Sequence, residues 1–135
     1  MAQNRDYKKF NKKIRAGSLE GFFLKLLFVC TFNIARSSTG EDLYKNQPGF
    51  EAKSAGTVED KATVPITKDL IDWADKIFCM ENHHRATVVK MKPNSAQKTF
   101  VLDIPDLYYR NDPRLIRLIQ VKVSRHLIQD RLGDT

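Results

Sequence analysis

The sequence predicts an α/β protein: a four-stranded parallel sheet with helices on both faces, in three layers. Three observations carry this expectation. Strand-like and helix-like segments alternate along the chain, the opening strand "LKLLFVC" is apolar apart from Lys25, and the chain closes on a long amphipathic pattern. Right-handed crossovers between neighbouring parallel strands need a helix between them, so strict alternation points to this architecture.

Each element has its own reason. The first strand ends at Cys30, where "TFNIARSS" turns polar. Ser37, Ser38 or Thr39 can then cap a helix whose first turn receives Glu41 and Asp42 and which "NQPG" stops. "FEAKSAG" reads as the second strand, ended by Gly56. Thr67 caps a short helix reaching Trp73 or Ala74, and "KIFCM" follows as the third strand. Glu81 to Met91 is helical in pattern, and "KTFVLDI" makes the fourth strand. Asp112 followed by Pro113 is an N-cap with proline at the first helical position; Leu115, Ile116, Leu118, Ile119, Val123, Leu127 and Ile128 then fall near helical spacing.

With 135 residues, 41% of them hydrophobic and 29% charged, the chain has the size and composition of one soluble globular domain. Its net charge of +7 is uneven, since residues 1–29 hold seven basic side chains against two acidic ones. Residues 1–22 therefore read as a basic extension, on which Tyr7, Phe10 and Ile14 would share a helical face, ahead of a domain spanning residues 23–132. Such an arm suits an acidic partner, and a solvated tail is the plainer reading. The apolar run Phe22 to Cys30 is broken by Lys25 and is far below the roughly 20 residues that span a bilayer, so no membrane span or secretion signal is expected. Two cysteines make no secreted disulfide framework, and a cytoplasmic location follows as the expectation.

The chemistry concentrates where Cys30 and Arg36 flank a strand-to-helix turn. In parallel sheets ligands bind beyond the carboxyl ends of the strands, and a loop entering a helix there can curl its amides into a nest for an anion. The amides of Thr31, Phe32, Asn33, Ile34 and Ala35 would line such a phosphate-binding loop, stabilise a Cys30 thiolate, and leave Arg36 at the rim to hold two phosphate oxygens. Asn33 tolerates the left-handed conformation such a loop needs, and Ser37 can donate to the sulfur. A buried structural cysteine ahead of a surface arginine is the competing reading; it gives no reason for the turn and the hydroxyl behind it.

At these residues the chain resembles the low-molecular-weight protein tyrosine phosphatases. The resemblance rests on "FVCTFNIARSS", "SAGT" (Ser54 to Thr57), "WADKIFCME" (Trp73 to Glu81) and "DLYYRND" (Asp106 to Asp112), covers roughly residues 24 to 130, and has a short segment between the second and third strands, as in a compact branch. It implies a phosphotyrosine or aryl phosphate hydrolase with Cys30 as nucleophile, Arg36 as phosphate clamp, Asn33 and Ser37 as loop organisers and a late aspartate as general acid. The register of "DLYYRND" puts Asp106 first for that role and Asp103 second, with Leu107 where the family has proline. Tyr108 and Tyr109 would wall the cleft, ordinary loop packing being the alternative. Ala35 stands where many members carry a second loop cysteine, and Phe32 is bulkier than the family's usual small residue.

His83 and His84 are adjacent, so on a helix they diverge and make a poor metal site; no metal or other cofactor is expected. Two further readings stand beside the phosphatase. An arsenate reductase on the same fold needs two more thiols, and only Cys79, expected to be a small buried hydrophobe, is available. A non-catalytic phosphate or nucleic-acid-binding module would use the basic arm.

Overall fold

In the computed structural model, which describes residues 23–133 and the side chains of residues 23–127, "LKLLFVC" forms β1 (Leu24–Cys30). The chain continues through α1 (Arg36–Tyr44), β2 (Phe50–Gly56), α2 (Lys68–Trp73), β3 (Lys76–Cys79), α3 (Asn82–Met91), a 3-10 turn (Pro93–Lys98), β4 (Thr99–Val101) and α4 (Pro113–Gly133). Among the described residues the sheet has four strands, all parallel, in the order β2-β1-β3-β4. The basic extension expected at residues 1–22 lies outside the described residues.

The period of two in β1 sorts its side chains into two cores. Leu26 and Phe28 meet Phe78, Leu115, Ile119 and Val123 under α1 and α4, while Leu27 and Val29 meet Ile71, Ile77 and Val88 under α2 and α3. Both faces are covered, so Leu26 to Val29 are all fully buried. The Phe28 ring stacks on Tyr44 and on Phe78, each at 5.7 Å between centroids.

The caps explain where the helices start. Thr67 Oγ1 accepts the Leu70 amide at 3.1 Å at the head of α2. Asp112 accepts the Arg114 amide at 3.0 Å and pairs with the Arg114 guanidinium, so its carboxylate holds the end of α4 as expected. α1 differs from the expectation. It begins at Arg36 with Ala35 in the cap position and no side-chain cap, which puts Ser37, Ser38 and Thr39 inside the helix and Glu41 and Asp42 beyond its first turn. Those hydroxyls are spent elsewhere: on Cys30, on the Asn33 carbonyl and on the Ala35 carbonyl. β4 is also shorter than "KTFVLDI": it ends at Val101, although the Leu102 and Ile104 amides still donate to the Cys79 and Met80 carbonyls, with Asp103 at φ 55° between them.

Gly40 lets α1 lie on β1 at close range: a Cβ there would stand 2.5 Å from the Phe28 ring. Gly40→Ala should therefore destabilise the protein by about 1–3 kcal/mol, although alanine is the better helix former, and a urea unfolding midpoint at or above wild type would contradict this packing.

Candidate active site

The order β2-β1-β3-β4 reverses the direction of winding beside β1, so the loop leaving its carboxyl end sits at the sheet's switch point. There the carbonyls of the loop are bonded from outside. Thr57 donates to the Cys30 carbonyl at 3.0 Å, Val58 to Thr31 at 3.1 Å and Thr63 to Phe32 at 3.1 Å. Ser38 Oγ donates to the Asn33 carbonyl, and Thr39 uses both its amide and its hydroxyl on the Ala35 carbonyl. The amides of Thr31 to Arg36 donate to no other described residue. Gly56 permits the close approach, since a Cβ on it would lie 2.7 Å from the Thr31 carbonyl oxygen.

Asn33 turns the loop. It adopts φ 58°, the left-handed conformation an asparagine accepts, and is buried with its amide group in a chain of hydroxyls. Its Nδ2 donates to Ser37 Oγ and to Ser54 Oγ, both at 2.8 Å, and the Ser54 hydroxyl donates a hydrogen bond to the Glu41 carboxylate. Ser37 Oγ, already an acceptor, lies 3.0 Å from Cys30 Sγ and has its proton left for the sulfur.

Arg36 is buried too. Its Nη1 donates to the Glu81 carboxylate and, at 2.8 Å, to the Ile104 carbonyl, while its Nε stands 3.8 Å from Asp106 Oδ1. The bond from Arg36 holds the Glu81 carboxyl below its ordinary range, against the opposing effect of burial. Cys30, Thr31, Phe32, Ile34, Ala35, Arg36 and Asp106 line one cavity of about 150 Å³, room for a group the size of several waters at about 30 Å³ each.

Asp106 thus reaches the cavity, and Asp103 and Asp112 do not line it. Asn33 and Ser37 support the loop from behind. Neither tyrosine walls the cavity: Tyr108 packs under the Arg114 guanidinium, 5.4 Å from its ring, in a shallow groove of about 790 Å³ along α4, and Tyr109 is 66% exposed. The contact of Tyr108 with the charge and flat face of Arg114 is a packing contact. No cysteine, serine or threonine lines the larger groove.

Glu81, His84, Ser54 and Glu41 also belong to the site, a placement their positions in the sequence do not predict. The turn from β3 into α3 brings Glu81 to Arg36 and His84 to Thr31, where His84 Nε2 and Thr31 Oγ1 are 2.9 Å apart. Glu81, His83 and His84 each place a ligand atom within 4.8 Å of the others, yet both ring nitrogens of His84 are engaged and Glu81 is paired with Arg36. The signal for these residues was "CMENHH" directly after a buried strand, a position at the same sheet edge as the loop.

A three-layer α/β fold with a cysteine and an arginine enclosing an amide-lined loop defines a cysteine-dependent phosphatase class. No protein-family model matches the chain. It is 32% identical to a protein-arginine-phosphatase of Geobacillus stearothermophilus, over 58% of this chain and 68% of that relative. It is 29% identical to the low molecular weight protein-tyrosine-phosphatase Etp of Escherichia coli (strain K12), over 66% and 80%. The solved structure of the YwlE arginine phosphatase of G. stearothermophilus matches it with a TM-score of 0.59 and 27% identity, covering 83% of this chain and 97% of that one. The chain belongs to the low-molecular-weight protein tyrosine phosphatase family.

Burial pushes the His84 imidazole from 6.5 down to about 4, with His83 and Arg36 acting in the same direction. A histidine kept neutral in the fold takes up its proton first in the unfolded chain, so stability should fall as pH drops from 6.5 towards 4. The loss is up to about 3 kcal/mol, at 1.36 kcal/mol per unit. Unfolding measured across that range should show the slope, and His84→Gln should flatten it.

Proposed function

We propose that the protein hydrolyses phosphotyrosine and related aryl phosphates through a phosphocysteine, with residues 23–132 as the catalytic domain. The observation that carries this reading is the single cavity shared by Cys30, the loop, Arg36 and Asp106. The Cys30 sulfur forms a bond to phosphorus as the phosphorus–oxygen bond to the leaving group breaks, and Asp106 gives its proton to the departing oxygen. Water then attacks phosphorus, Asp106 takes a proton from it, and the sulfur leaves as thiolate, stabilised by the proton of Ser37. The amides of residues 31–36 and the Nε–Nη2 edge of Arg36, whose Nη1 is already held, take the equatorial oxygens.

An apolar rim favours an aryl substrate. Phe32 and Ile34 line the cavity and are 37% and 60% exposed, offering surface to a ring. A second reading, phosphoarginine, is carried by the relative named a protein-arginine-phosphatase. Arsenate reduction is poorly supported: Cys79 is fully buried and burial pushes its thiol up to about 12, the opposite of what a relay thiol requires. A cytoplasmic setting is supported by the two free cysteines, and among the described residues no helix is long and apolar enough to cross a membrane. An acidic partner for residues 1–22 remains part of the proposal.

Cys30→Ser and Arg36→Ala should each lower turnover of p-nitrophenyl phosphate roughly a thousandfold or more. Asp106→Asn should cost phosphotyrosine turnover about a hundredfold and remove its acid-linked pH limb, whereas Asp103→Asn and Asp112→Asn stay near wild type. Full activity in Asp106→Asn would reassign the acid. Greater kcat/KM on a phosphoarginine peptide than on a phosphotyrosine peptide would replace the first substrate by the second.

A further inference from the structure

We infer that His84 is a positioning residue that fixes the Thr31 side chain so that the Thr31 hydroxyl donates to the bound phosphoryl group. The inference rests on the phosphatase reading and adds one donor to it. His84 is fully buried, and its Nδ1 accepts the Glu81 amide at 3.0 Å, so that nitrogen carries no proton. The neutral ring then has its single N–H on Nε2, 2.9 Å from Thr31 Oγ1. Direction follows from this: the imidazole donates and the threonine oxygen accepts. A hydroxyl that accepts on one side keeps its own proton for another partner, and Thr31 lines the cavity directly after the nucleophile. Its carbonyl is already bonded to the Val58 amide. Burial lowers the basicity of the imidazole and keeps the ring neutral at neutral pH, and the Glu81 amide on Nδ1 selects the tautomer.

The same turn therefore holds the loop at both ends. Glu81 takes Arg36 at the close of the loop, and His84, three residues on, takes Thr31 at its start. The two bonds of His84 separate by reach. An asparagine places its oxygen where Nδ1 stands and keeps the bond to the Glu81 amide, whereas a glutamine extends a donor towards the position of Nε2.

The experiment compares His84→Asn, His84→Gln, Thr31→Val, Thr31→Ser and the double variant Thr31→Val with His84→Asn, on p-nitrophenyl phosphate and on inorganic phosphate binding. Thr31→Val and His84→Asn should each lower kcat/KM roughly tenfold to a hundredfold, the range of a hydrogen bond to a charged group. The double variant should be no worse than Thr31→Val alone, and Thr31→Ser and His84→Gln should recover most of the loss. Phosphate affinity should fall in parallel. Wild-type kcat/KM in Thr31→Val, or additive losses in the double variant, overturns the inference, as does a His84→Asn loss that follows stability alone. If the wild type binds phosphate without turning over any phosphoester, the phosphatase reading fails; phosphate affinity then still decides the clamp, with equal affinities in wild type, Thr31→Val and His84→Asn overturning it.

Discussion

The loop between β1 and α1 can turn its amides inward because its carbonyls are held from the other side. Backbone carbonyls and amides on one short loop compete for direction, and a free carbonyl pointing into the cavity would repel an anion. Residues 57–63 remove that competition by donating to the carbonyls of Cys30, Thr31 and Phe32. Each such bond contributes only about 1 kcal/mol net, but leaving a buried carbonyl unpaired costs more, so the set fixes the loop's orientation more firmly than its energy suggests. The segment after β2 is thus part of the site although none of residues 57–63 lines the cavity. Gly56 belongs to the same device, since only a residue without a side chain lets the two backbones meet.

The polar groups behind the loop form a chain with a defined sense of donation. Glu41 can only accept, so Ser54 donates to it and must accept from Asn33; Asn33 in turn donates to Ser37 and leaves the Ser37 proton for Cys30. A carboxylate on α1 in this way settles which way a hydroxyl points at the sulfur. Its position is the surprise of the helix: Glu41 sits beyond the first turn of α1, where it does not compete with an anion for the helix's free amides.

Much of this was legible in the chain. Apart from Lys25, "LKLLFVC" is apolar and fits a strand covered on both faces, and Cys30 and Arg36 stand at the edges of the turn that follows. Thr67 and Asp112 cap as their residue types dictate, because each accepts an amide in the first turn of the helix it precedes, Asp112 while also pairing with the Arg114 guanidinium. Ser37, Ser38 and Thr39 were misleading for the opposite reason. Their hydroxyls also look like caps, but the Cys30 sulfur and the Asn33 and Ala35 carbonyls of the preceding loop claim them. Glu81 and His84 were illegible because their roles depend on register: β3 must pair with β1 before the turn after it reaches Thr31 and Arg36. Tyr108 follows Asp106 closely in the chain, but its contact with Arg114 depends on where α4 packs, which the local sequence does not state.

In the proposed mechanism Arg36 ties the acid to the anion. Its Nη1 bond to the Ile104 carbonyl fixes the loop that carries Asp106 two residues later, at the point where the chain is still fully buried. Farther along, Arg110 pairs with Asp42 through two hydrogen bonds, and the Asn111 amide donates to Thr39 Oγ1, so the far side of the loop is fastened to α1. Asp106 hangs between these anchors, 64% exposed, with its carboxylate 3.8 Å from Arg36 Nε. An exposed acid on an unsupported loop would sample many positions, and a proton donor must be within hydrogen-bond reach of its acceptor at the moment of bond cleavage. In the proposed mechanism one guanidinium both grips the phosphoryl group and holds the loop that carries Asp106, so the distance from proton donor to leaving oxygen would be set by the same side chain that sets the distance from sulfur to phosphorus.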